Sequence, residues 1–197
     1  MRNNINKSVA AAVRNALDRG DFILADDGLI LPREGIRARG TYFHSVNGED
    51  ERIDHNLIPD AGILSILNVY FGATAKINAF YLALFSGAVN PPANLTAANF
   101  AATMTEITSN TEGYSQVTRP QFVSSPASAG TIGNLSNKAQ FSIVCTTSIT
   151  VNGAAMLSDN TKGGTAGVLP SCSRFASART LFNGDTFELG YTVTLTG

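Results

Sequence analysis

From Thr186 to Thr196 the chain alternates without a break: Phe187, Leu189, Tyr191, Val193 and Leu195 take every second position, and Thr, Glu and Gly fill the places between. Successive side chains of a β-strand point to opposite faces, so this spacing fits a strand with one buried face. A slip of one residue would turn all five apolar groups to solvent. The pattern predicts a strand in the centre of a sheet with these five residues facing the core. It also favours antiparallel structure, where one face of a sheet commonly stays polar.

The same alternation, in shorter pieces, places strands at Tyr114 to Thr118, Ala139 to Cys145, Ile149 to Val151, Ala154 to Ser158 and Thr180 to Phe182. Asn183-Gly184 reads as a tight hairpin joining the last of these to the terminal strand. Phe80 to Phe85 is apolar throughout and predicts a strand buried on both faces. Short strands separated by turn residues from Gly113 onward predict a mainly β fold, an antiparallel β-sandwich or barrel with a few short helices. One helix is expected after Pro59, capped by Asp60, with Ile63, Leu64, Leu67, Tyr70 and Phe71 buried on one side and Gly72 just past its end. A second is expected from Leu95 to Met104.

Charge divides the chain. Residues 61–197 hold only six Lys or Arg and five Asp or Glu, of totals of 14 and 15, so most charges fall in the first 60 residues. That first region opens with Ile5, Val9, Val13 and Leu17 at helical spacing, and Gly20 offers a stop. A helix of about four turns is too short to persist alone in water, so it must dock on something. Phe22 to Ala25 and Leu29 to Leu31 flank Asp26-Asp27-Gly28, a hairpin signal, and Asn47-Gly48 marks a second turn. Residues 33–54 have too few apolar groups to build a core by themselves. The expected division is a charged N-terminal attachment arm at 1–60 and a β-rich domain at 61–197. The charge-poor surface of the domain suits packing against neighbours, and a homo-oligomer is expected.

Composition narrows the function. A formal net charge of −1 supplies no basic face for DNA or RNA, so no nucleic-acid partner is expected. The most apolar stretches, Ile63 to Phe71 and Phe80 to Phe85, fall well short of the roughly 20 residues needed to cross a bilayer, so no membrane partner is expected either. Met1-Arg2-Asn3-Asn4 leads into no apolar run of signal-peptide type, which implies synthesis in the cytoplasm. Cys145 and Cys172 have neither metal-ligand nor disulfide-framework spacing and are read as buried free thiols.

The candidate chemistry is sparse. His44 and His55 lie near Glu49, Asp50, Glu51 and Asp54, but the run reads as an exposed polar hairpin rather than a metal site or a His–carboxylate pair. No serine sits in a Gly-x-Ser-x-Gly elbow, and no histidine follows residue 55 to serve a triad. Two carboxylate pairs, Glu106 with Glu112 and Asp185 with Glu188, have the chemistry of a glycosidase. Asp185 is better explained by the turn, and Glu188 by the outward side of its strand. The run Asn160 to Thr165, with Lys162-Gly163-Gly164, lacks the first glycine and the following helix of a phosphate loop. No catalytic, cofactor-binding or metal-ligating residue is assigned, no cofactor is expected, and the chain is read as non-enzymatic.

From residue 77 to 197 the order of features resembles a group of tailed-bacteriophage virion proteins. The strand Tyr81-Leu82-Ala83-Leu84-Phe85 precedes the loop Asn90-Pro91-Pro92, then Met104-Thr105-Glu106-Ile107, then Gly113-Tyr114 with Arg119 a few residues on. Ile149 to Val151, Ser173-Arg174-Phe175 and Asn183-Gly184-Asp185 before the alternating strand complete the likeness. The absence of tryptophan departs from the group, and residues 1–60 have no counterpart in it. The resemblance implies a virion component, synthesised in the host cytoplasm, whose partners are the major capsid protein or other virion proteins, and it brings no catalytic residues. The leading expectation is a capsid decoration or cement protein. A tail adaptor or fibre-attachment protein is the alternative, and a carbohydrate-binding or hydrolytic β-module ranks below both, because sugar sites rely on exposed aromatics, tryptophan above all.

Overall fold

A computed structural model describes residues 10–15, 17, 22–24, 26, 28–32 and 37–196. The chain divides into two compact units, Met1–Arg37 with Thr196–Gly197, and Ala38–Leu195. In the smaller unit residues 10–15 are helical. The expected apolar stripe at Ile5 and Val9 lies outside the described residues, as does its stop at Gly20. Strands β1 (Phe22–Leu24) and β2 (Ile30–Pro32) pair antiparallel with Ile23 opposite Leu31, the hairpin that Asp26-Asp27-Gly28 predicted.

The larger unit contains β3 (Arg37–Val46), β4 (Glu49–His55), helix α1 (Asp60–Tyr70), β5 (Phe80–Phe85), helix α2 (Ala97–Met104) and strands β6 (Gly113–Tyr114), β7 (Gln121–Phe122) and β8 (Thr131–Gly133). A 3-10 turn at Leu135–Asn137 follows, then β9 (Ala139–Val144), β10 (Ile149–Leu157), β11 (Ser171–Leu181) and β12 (Thr186–Thr196). Two antiparallel sheets result, one ordered β11-β10-β5-β7 and the other β4-β3-β12-β9-β6 with β8 also on β12. They pack as a β-sandwich. The sheets do not close into a barrel.

Strand β12 occupies the central position its alternation predicted. It lies beside β3, and its opposite side is shared by β9 along Thr186 to Leu189 and by β8 along Thr192 to Thr194. Between those two partners buried Asn134 supplies the missing ladder: its Oδ1 accepts from the Tyr191 amide at 2.7 Å and its Nδ2 donates to the Leu189 carbonyl at 3.4 Å. Phe187, Leu189 and Tyr191 are buried and Val193 is half-buried, but Leu195 is 49% exposed. The expectation of five core-facing residues therefore fails at Leu195, which lies one residue past the last β8 pair, Thr194↔Thr131.

The sandwich core joins Tyr42 of β3, Phe141 and Ile143 of β9, and Phe187, Leu189 and Tyr191 of β12 to Leu82 and Leu84 of β5 and Val151, Ala154 and Met156 of β10. Leu82 and Leu84 point into it, whereas Ala83 and Phe85 point the other way into a second cluster with Leu95, Phe100 and Met104, under α2. Strand β5 is thus buried on both faces, as its apolar run predicted. Helix α2 begins with a capping box in which Thr96 and Asn99 satisfy each other's free amides.

Three expectations change. Strands β3 and β4 belong to the larger unit, so the boundary falls at residue 37 rather than 60. The polar segment that cannot build a core alone still contributes Tyr42 and His44 to one built by others, and Asn47-Gly48, with φ of 53° and 78°, makes its two-residue hairpin turn. The Asn183-Gly184 turn forms no hairpin, because β11 lies in one sheet and β12 in the other; it carries the chain between layers. Finally, α1 is not buried. Its sole buried residue is Gly62, where an added Cβ would lie 2.7 Å from the Pro170 carbonyl oxygen, and Ile63, Leu64, Leu67, Tyr70 and Phe71 are all exposed. Asp60 begins the helix without a side-chain capping bond.

Truncating a packed core side chain costs both transfer energy and a cavity. Leu189→Ala should therefore lower unfolding free energy by about 2–5 kcal/mol, and Leu195→Ala by well under 1 kcal/mol, in denaturant titrations of the two variants.

Candidate functional site

The residues that carry the resemblance, Glu106, Tyr114 and Arg119, converge on one buried locus. Thr105 ends α2 with a left-handed φ of 56°, an unfavourable setting for a β-branched residue, and turns Glu106 back beneath the helix, where its amide bonds the Ala101 carbonyl. Both Glu106 and Arg119 side chains are inaccessible to solvent. They meet as a two-pronged pair, Nε to Oε1 and Nη2 to Oε2, each 2.7 Å. The guanidinium also donates to the Asp159 carbonyl at 2.8 Å and the Gly164 carbonyl at 3.4 Å, and the Gly163 amide donates to Glu106 Oε2 at 2.9 Å. The glycine-rich loop thus wraps an anion, but the anion is the chain's own carboxylate.

Lys162, in the same loop, lies 3.6 Å from the centre of the Tyr114 ring and donates to Asn110 Oδ1 at 2.6 Å and the Tyr114 carbonyl at 2.9 Å. It is half-buried rather than fully solvated. Loss of water pushes its ammonium down to about 8, and the Glu106 charge opposes the shift. Burial raises the Tyr114 phenol far above its ordinary value, and among the described residues its hydroxyl has no hydrogen-bond partner. Beside the locus an open groove of about 330 Å³ runs between Glu106 to Ser109, Glu112 and Ile149-Thr150.

The structure does not bring Glu106 and Glu112 together as a free acid–base pair. Glu106 is spent on Arg119 and Gly163. Glu112 accepts from the amide and hydroxyl of Thr146, which hold its carboxyl below the usual range. Asp185 Oδ2 accepts from the Phe182 amide at 2.8 Å and its Oδ1 from Asn47 Nδ2 at 2.9 Å, the turn role expected of it. Glu188 accepts from Ser45 Oγ at 2.7 Å.

The β3–β4 hairpin departs from its sequence reading, because His44 and Asp54 are buried. The cause is a bulge in β11. Between the pairs Val151↔Arg179 and Gly153↔Arg174 the β10 strand carries one residue, Asn152, and β11 carries four, residues 175–178. Asp54 Oδ1 accepts from the Ala176 amide that the bulge releases, at 2.6 Å, and the His44 ring stacks on Phe175 at 3.9 Å. Arg179 Nε donates to His44 Nδ1 at 3.0 Å. Arginine has only donors, so Nδ1 carries no proton and the Nε2–H donates to Asp54 Oδ2, 2.9 Å away. Burial lowers the His44 pKa; the Asp54 hydrogen bond opposes the shift and the Arg179 charge adds to it. His55, by contrast, is exposed, its Nδ1 3.4 Å from Thr41 Oγ1.

Cys145 and Cys172 are free and buried, as expected, and burial raises the Cys172 thiol well above its usual value. Among the described residues no three His, Cys, Asp or Glu side chains converge as a metal ligand set, and no helix is long and apolar enough to cross a membrane. Sequence reasoning missed Arg119 and Arg179 as organising residues. Their signal was isolation: a charge in a charge-poor region must find a partner if the fold buries it.

Comparison of the chain with protein-family models and with curated proteins gives no match.

Removing one partner of a buried ion pair leaves an uncompensated charge, whereas removing both leaves an apolar contact. Arg119→Met should cost about 3–5 kcal/mol in chemical unfolding, and the double variant Glu106→Met with Arg119→Met should recover most of that loss. A second test concerns pH. With its folded pKa below the ordinary 6.5, His44 binds fewer protons in the folded than in the unfolded chain, so stability falls as pH drops below 6.5. Unfolding midpoints should decline from pH 7 to 5, and His44→Gln should flatten that slope.

Proposed function

We propose that this chain is a structural component of a bacteriophage particle, a capsid decoration protein that stabilises the head through protein–protein contacts. The observation that carries the reading is a surface shaped to be covered. Phe22, Ile23, Leu24 and Ile30 of the β1–β2 hairpin are exposed, and a two-stranded ribbon this short is not stable alone in water. An element of that kind gains its order from a partner surface, the role of an attachment arm. On this reading the arm is the unit that ends at Arg37.

The kind of assembly is drawn from the resemblance to tailed-phage virion proteins. Support comes from Glu106, Tyr114 and Arg119, which make one buried locus instead of three scattered matches. The sites with the chemistry of catalysis are occupied by the chain's own donors and acceptors, which fits a scaffold. The partner on this reading is the major capsid protein or another virion protein.

The proposal predicts hundreds of copies per particle when purified virions of the encoding phage are analysed by quantitative gel and mass spectrometry. A dozen copies or fewer would replace the head assignment with the tail, and absence from particles would overturn the reading.

A further inference from the structure

Helix α1 has no charged side chain after Asp60, and the next charge along the chain is Lys76. Ile63, Leu64, Ile66, Leu67, Tyr70 and Phe71 are all at least 45% exposed, with Tyr70 at 79% and Phe71 at 75%. A surface helix normally turns its apolar stripe to the core and its charges to water. Here the side against the protein is Gly62 and the outward side is apolar. Since an aromatic side chain presents about 150–250 Å², these six groups make a contiguous patch on the order of 600 Å², the upper end of what free monomers show.

We propose that α1 is a self-association surface, packing against the same face of a second copy of this chain across a two-fold axis. An uncharged patch meets its own image without repulsion, whereas a charged partner surface would leave polar groups desolvated and unpaired. Area agrees: two copies together would bury on the order of 1,200 Å², which reaches the lower bound for stable dimers. Ile63, Leu67 and Tyr70 recur at intervals of four and three, the spacing by which one helix seats on another. The inference concerns the protein in solution and stands or falls independently of the virion reading.

Light scattering on the full chain at tens of micromolar should give twice the 20.7 kDa chain mass. Leu64→Glu with Leu67→Glu should return it to the monomer mass with unchanged circular dichroism, weakening association roughly 100-fold or more because each charge would be buried unpaired. A second arm does not depend on how that variant folds. Leu67→Cys, in the middle of the face, should form a disulfide-linked dimer on mild oxidation far more readily than Val117→Cys, which is 78% exposed elsewhere. A monomeric wild-type chain, a charged variant of unchanged mass, or equal cross-linking at the two positions would each overturn the proposal.

Discussion

Burial of β5 and β10 on both faces is the constraint on which the larger unit depends. Leu82, Leu84, Val151, Ala154 and Met156 serve the sandwich core, while Ala83, Phe85, Ala155 and Leu157 serve the layer beneath α2. A strand covered on both sides penalises any unpaired polar side chain, and the fully buried stretch of β5, Leu82 to Phe85, has none. The arrangement also obliges α2 to dock: the second cluster is closed by Phe100 and Met104, and without them one face of the sheet would meet water. The left-handed turn at Thr105 follows from the same need, since the chain must return from α2 to the end of β5, where Ile107 donates to the Leu84 carbonyl at 2.9 Å.

Around that apolar frame the irregular parts are fixed by buried polar groups that satisfy one another. Arg119 spends all three of its nitrogens on Glu106 and on carbonyls of the glycine-rich loop, so the loop is held by a side chain rather than by a ladder. Asp54, His44 and Arg179 do the corresponding work at the bulge of β11. Such clusters add little net stability over an apolar replacement, but each defines one arrangement, because any other leaves a charge without a partner. Both lie where β-pairing is interrupted, the places where an apolar core alone would leave the backbone underdetermined.

How much of this was legible depends on whether a residue's partner is local. The alternation of Phe187 to Leu195 places β12 correctly because a strand's two faces are written in its own period, but that period does not say how far along the strand the core extends, and Leu195 is exposed. Asn47-Gly48 is legible because turn chemistry is local. Strand β11 is only partly so: Ser171 and Ser173 are small and polar, and their burial rests on distant groups, Tyr42 Oη with Ser171 Oγ at 2.9 Å and the His55 carbonyl, which accepts from Ser173 Oγ at 2.8 Å. The exposed face of α1 was unreadable for a related reason, since periodicity names an apolar side without naming what covers it. At the buried locus, Glu106 and Arg119 were each visible as isolated charges, but nothing in a separation of thirteen residues says that they meet.

The central place of β12 has a consequence for how the chain reaches its native state. Its partner β3 lies far upstream: the Thr186 amide bonds Asn47 Oδ1 across 139 residues at 2.8 Å. During synthesis at about 5–20 residues per second, the β3–β4 hairpin must wait on the order of ten seconds for the strand that completes its inner edge. Closing so long a loop is also intrinsically slow, because its entropy is spent before the contact forms. For that interval the inner edge of β3 is open to any other strand, so the nascent chain is most vulnerable to mispairing at the hairpin whose charged outer strand, with Glu49, Asp50, Glu51 and Arg52, discourages such pairing on the opposite side.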